Sequence, residues 1–114
     1  MYGYNEMSDR LSWELHGYYI HLECERDSPS VVDYHTHGLC HSRGKQDFRI
    51  EAPIDPFLAV SIFRELVELM DQGMDINPGQ RLEDVVPDVV LEITQASDEI
   101  DMLTISLSEA SLAD

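Results

Sequence analysis

At 114 residues, 43% of them apolar, the chain is long enough for one packed core and too short for two. Its 23 acidic residues against 7 basic ones give a formal charge of −16, which repels phosphate backbones and anionic bilayers and excludes direct binding to nucleic acid or to a membrane surface. No apolar run of about 18 residues is present to span a bilayer, and Met1 to Arg10 lacks the basic-then-apolar pattern of a secretory signal.

The expected setting is therefore the cytoplasm. Cys24 and Cys40 are the only cysteines, without CxxC spacing, and are expected as reduced thiols. A single domain over residues 1–114 is expected.

In chain order, Trp13 to Glu25 is rich in aromatic and branched residues and predicts a first strand, with Gly17 as a bulge. Asp27, Ser28, Pro29 and Ser30 form a turn cluster. Val31 to His37 then reads as a second strand, in a hairpin with the first. Gly38 to Gln46 is polar, carries two glycines and reads as a loop. Asp47 to Ala52 alternates, with Phe48, Ile50 and Ala52 on one side and Asp47, Arg49 and Glu51 on the other, the pattern of a half-buried strand.

Pro56 to Gln72 predicts the main helix. Asp55 is its N-cap, Pro56 its first residue and Gly73 its stop. Ala59, Ile62, Phe63, Leu66, Val67 and Met70 recur at three-four spacing and form the core face; Glu65 and Glu68 lie opposite. Asn77-Pro78-Gly79 is a turn, and Gln80 to Val86 reads equally as a helical turn or an irregular crossing. Val89, Leu91 and Ile93, then Leu103, Ile105 and Leu107, alternate as two strands joined by the polar loop Ser97 to Asp101. Ser108 to Asp114 is expected to fray.

The order β-β-β-α-β-β implies an α+β fold: an antiparallel sheet of about five strands with one amphipathic helix on one face. One helix cannot cover such a sheet, so the other face must be polar or meet a partner. Reading Trp13, Leu15 and Tyr19 on one side of the first strand and Tyr18, Ile20 and Leu22 on the other predicts a surplus apolar surface, and with it a homodimer.

Three of the five histidines cluster in Asp33-Tyr34-His35-Thr36-His37-Gly38-Leu39-Cys40-His41. On a strand His35 and His37 project to the same side, and two adjacent imidazoles chelate zinc or a similar borderline metal. His41 is the expected third ligand, with Cys40 or Asp33 as alternatives. The plainer reading is a hydrogen-bonded junction where a strand meets a glycine loop. The spacing fits neither the histidine-triad hydrolases, since Leu39 occupies the third position, nor the cupins, whose glutamate would stand nearer than Glu51. No GxSxG and no phosphate-binding glycine loop occurs. Cys40 and His41 are neighbours that would face opposite sides of a strand.

At His35-Thr36-His37-Gly38-Leu39 the chain resembles a family of short, uncharacterised bacterial proteins, a domain of unknown function with an HTHGL motif. The resemblance extends through the strand Asp47-Phe48-Arg49-Ile50, the helix Pro53 to Gly73 and the segment Gly79 to Val86, to Met102-Leu103-Thr104-Ile105-Ser106-Leu107. It implies no catalytic residues and draws attention to His35–Leu39.

Three functions are carried forward, in this order. The first is a binding or interaction domain without catalysis, a homodimer whose further protein partner is unidentified. The second is a metal-dependent or histidine-using enzyme on a small molecule, with its site at His35, His37 and His41. The third is an acidic mimic of nucleic acid, although the acids are spread along the whole chain rather than gathered.

Overall fold

A computed structural model describes residues 6–24 and 32–109. It has an α+β fold with the element order α1 (Glu6–His16), β1 (Tyr19–Cys24), β2 (Val32–His37), α2 (Leu39–Arg43), β3 (Asp47–Glu51), α3 (Pro56–Asp71), β4 (Arg81–Val86), β5 (Val89–Gln95) and β6 (Met102–Glu109). The strands form one six-stranded sheet in the order β1-β2-β3-β6-β5-β4. Every neighbouring pair is antiparallel except β3 and β6, which run parallel.

The main helix follows its sequence signals closely. The Asp55 carboxylate accepts a 2.7 Å bond from the Phe57 N–H, Pro56 opens the first turn, and Gly73 leaves the helix at φ 103°. Ala59, Ile62, Phe63, Leu66, Val67 and Met70 are buried as a stripe. Tyr18, Ile20, Tyr34, Phe48, Ile50, Leu91, Ile93, Leu103 and Ile105 from the sheet join them in one core.

Several expectations need correction. The first strand does not begin at Trp13: Trp13 and Leu15 belong to α1, and Gly17 ends that helix with φ 77°, its N–H donating to the Trp13 carbonyl, instead of forming a bulge. From Leu11 onward α1 buries little, so it shows no strong apolar periodicity. Within 38–46 the chain makes the short helix α2, anchored by the fully buried Leu39 and bounded by Gly38 and Gly44, both at positive φ. A helix of five residues is too short to show a face in sequence.

The segment after Asn77 is a sixth strand, β4. A register shift between Leu82 and Val86 interrupts the alternation that would have marked it. Ser108 and Glu109 remain in β6, paired with Val90 and Val89; the rest of the expected tail lies outside the described residues, as does Val31. The sheet is thus mixed, with six strands instead of about five.

Two local packings hold the periphery. Gly38 is crossed by the Trp13 ring: a Cβ there would stand 2.4 Å from Trp13 Cζ3. Arg43 of α2 gathers three elements. It makes a paired ion contact with Asp71 at the end of α3 (2.7 and 3.0 Å), donates to the His16 carbonyl at the end of α1 (2.9 Å), and lies over the Tyr18 ring. The Arg43 bond holds the Asp71 carboxyl below its ordinary value of 3.8. Such a contribution to stability is present above the unfolded carboxyl's value and lost as pH falls through the folded one. Both partners are partly exposed, so solvent screening keeps it small.

The core assignment has a direct check by denaturant unfolding. Phe63→Ala or Leu66→Ala is expected to cost about 2–5 kcal/mol, because each opens a cavity beneath α3. Glu65→Ala and Glu68→Ala, on the exposed side, should each change stability by less than about 0.5 kcal/mol.

Candidate metal centre

The hairpin register decides which side chains meet. Tyr19 stands opposite His37 and His21 opposite His35. Side chains alternate along a strand, so these residues project from the face away from α3, while Ile20, Tyr34 and Thr36 turn into the core. The imidazoles of His21, His35 and His37 converge there. Their ring centroids are 4.5 Å (His35–His37), 5.2 Å (His21–His35) and 5.5 Å (His21–His37) apart. One ring nitrogen from each lies within 4.8 Å of the others. Tyr19 stacks on His37 at 5.0 Å and forms one wall.

Of the expected ligands, His35 and His37 are brought together and His41 is not part of the group. His41 sits on α2, its ring 5.7 Å from that of Trp13. The helical turn at Leu39 carries the chain away from the sheet face after His37, which a loop reading of 38–46 does not anticipate. Among the described residues His21 takes the third position.

Asp33 contributes in another way. Its Oδ1 lies 3.1 Å from His35 Nδ1. A proton on Nδ1 donates to that carboxylate and leaves Nε2 as the lone-pair nitrogen, the arrangement by which metal-bound histidines are commonly oriented. His35 is also well enclosed, with 12% of its side chain exposed. The Asp33 contact and this enclosure together hold the ring plane of His35.

The other nucleophile candidate loses ground. Cys40 is an exposed, free thiol. Partial desolvation, then the Asp47 and Asp101 carboxylates, push its pKa up, the reverse of what a nucleophilic thiolate needs. Cys24 pairs with Val32 at one end of the hairpin, whereas Cys40 follows the other end, so the two cysteines are not neighbours in the fold.

Three imidazoles on one ion fill three coordination positions and leave a fourth for water or another ligand, the donor set of an open zinc-type site. His21 carries a signal that sequence reasoning passed over. His21 and His35 are equidistant along the chain from Ser28, as are Tyr19 and His37. Antiparallel pairing of β1 with β2 in that register places each pair side by side; the turn expected at Asp27–Ser30 lies outside the described residues.

No family model, no curated protein and no solved structure matches this chain, so residue roles rest on geometry alone.

If Asp33 orients His35, then Asp33→Asn should weaken metal affinity by about 10–100-fold while leaving the thermal unfolding of the metal-free protein nearly unchanged. Calorimetric titration with zinc, beside a melting curve recorded in chelator, measures both.

Proposed function

We propose that this protein is a metal-binding domain whose centre is His21, His35 and His37, taking a divalent ion of the zinc class. The observation that carries this reading is the convergence of three imidazole nitrogens within 4.8 Å on one sheet face, beside a carboxylate placed to orient one of them. Imidazole suits zinc, copper, nickel and iron, whereas magnesium and calcium prefer oxygen donors. The charge of −16 favours cation capture in general, although it selects no particular ion. In this reading binding comes first, and any Lewis-acid chemistry would follow from the open fourth position.

Purified without a metal-affinity step, the protein is expected to carry or accept one zinc per chain. His21→Ala, His35→Ala and His37→Ala should each lower affinity by at least about a hundredfold, since two imidazoles alone hold zinc poorly. His41→Ala should leave it unchanged. A loss in His41→Ala with none in His21→Ala would return the site to its sequence-based composition, and no binding by the wild type would end the metal reading.

The homodimer remains the second reading, on a different surface from the one expected. Leu11 and Leu15, one turn apart on α1, are 54% and 67% exposed, and Trp13 beside them is 36% exposed. Pairing of α1 with its copy would bury them. Light scattering at micromolar concentration should then give about twice 13.0 kDa, falling to the monomer mass in Leu11→Glu/Leu15→Glu. A monomer mass for the wild type removes this reading. A cytoplasmic location fits both. Among the described residues, no helix is long and apolar enough to cross a membrane.

A further inference from the structure

On the α3 side of the sheet, away from the imidazoles, a cavity of about 140 Å³ opens where β3 and β6 begin. Its floor is apolar and buried. Phe48 and Leu103, register partners in the parallel pair, lie there with Met70 from the last turn of α3 and Ile76 beyond it. An engineered apolar cavity of about 150 Å³ accepts benzene, so the space here suits one branched aliphatic or aromatic side chain. Two connections frame the mouth. Lys45 and Gln46 come from the link between α2 and β3, and Asp75 and Asn77 from the link between α3 and β4.

The polar groups at this mouth differ in what they already hold. The Gln46 amide donates to the Gln95 side chain and to the Ile100 carbonyl, at 2.8 and 2.7 Å. The Asn77 backbone is closed on Gln80 at both its N–H and its carbonyl. Lys45, the chain's only lysine, and Asp75 meet loosely: Nζ stands 3.6 Å from Oδ1, beyond hydrogen-bond reach, and the side chains are 48% and 74% exposed. An exposed pair at that separation contributes little, so a ligand that satisfies both heads parts them at small cost. The mouth thus sets one cation and one anion above an apolar pit. A lone anion placed there would meet Asp75, and a lone cation would meet Lys45. A ligand carrying both charges pairs with both, and being neutral overall it is not repelled by a chain of charge −16.

We infer that this cavity binds a free α-amino acid with an apolar side chain. Its carboxylate pairs with Lys45, its ammonium pairs with Asp75, and its side chain enters the pit over Phe48 and Leu103. An α-amino acid holds its two charges on one carbon, a spacing that matches two heads standing close together. Binding is non-covalent and uses the sheet face opposite the imidazoles, so it is independent of the metal reading.

The test titrates the full chain with L-leucine and separately with L-phenylalanine, followed by backbone amide NMR. At least one should saturate in the millimolar range or below, moving the amides of Lys45, Phe48, Ile76 and Asn77. Glycine, and the deaminated and decarboxylated analogues of the tighter ligand, should each bind at least about tenfold more weakly, because each lacks either the pit contact or one charge-assisted contact. Lys45→Met and Asp75→Asn should each weaken the amino acid about 10–100-fold, with the melting temperature of the ligand-free protein unchanged, as expected for exposed side chains. The analogue series on the wild type carries the test even if a variant melts early. No saturation by about 10 mM, shifts confined to other residues, or any analogue binding as tightly as its parent amino acid overturns the inference.

Discussion

Much of the arrangement depends on one buried hydroxyl. Thr36 is fully enclosed, and its Oγ1 donates to Asp47 Oδ1 at 2.8 Å while accepting from the Phe48 N–H at 3.0 Å. The same Asp47 oxygen accepts from the Leu39 N–H at 3.0 Å. One side chain therefore ties the end of β2, the first turn of α2 and the start of β3 together. A hydroxyl buried without partners would be destabilising; here both of its roles are filled. With Thr36 held on the core side, its neighbours His35 and His37 are obliged to face the other way. The hydrogen-bonded junction expected for the His-Thr-His sequence lies on one side of the strand, and the imidazole cluster on the other.

The face opposite α3 explains why a sheet with one long helix needs no second layer over all of its area. The row through His21, His35, Arg49, Thr104 and Thr94 is polar, with Arg49 buried within it beneath Asp98. This is the polar solution to the coverage problem that a single helix creates. Among the described residues the exposed large apolar side chains lie elsewhere: Leu11, Trp13 and Leu15 on α1, Phe57 in the first turn of α3 and Ile100 between β5 and β6.

What could be read beforehand followed from local periodicity. Asp55, Pro56 and the stripe from Ala59 to Met70 identified α3 because capping and three-four spacing act within a few residues. The alternation of Phe48 with Ile50, and of Leu103 with Ile105, located two strands for the same reason. Trp13 and Leu15 misled because aromatic and branched residues favour strands only on average, and the glycine that follows them serves a helix end as readily as a bulge. The candidate site was half legible. His35 and His37 announce themselves by spacing, whereas His21 arrives through cross-strand register, a property of two segments together. His41 was assigned by proximity along the chain, which α2 cancels.

The parallel pairing of β3 with β6 divides the sheet into two antiparallel ribbons of three strands, β1-β2-β3 and β4-β5-β6. Each ribbon joins neighbours in sequence, so each can form through short-range closure. The seam between them is different in kind. It has three registered pairs, Asp47 with Met102, Phe48 with Leu103 and Arg49 with Thr104, and its partners lie at opposite ends of a segment containing α3 and two further strands. Closing such a distance costs chain entropy before any contact repays it, and non-local pairings of this type set the slow step of folding. The three histidines all belong to the first ribbon and Asp98 to the second. The imidazole cluster can therefore assemble as soon as its hairpin closes, whereas Arg49 acquires its counter-ion only when the seam does. In time, the imidazole cluster comes before the Arg49–Asp98 pair.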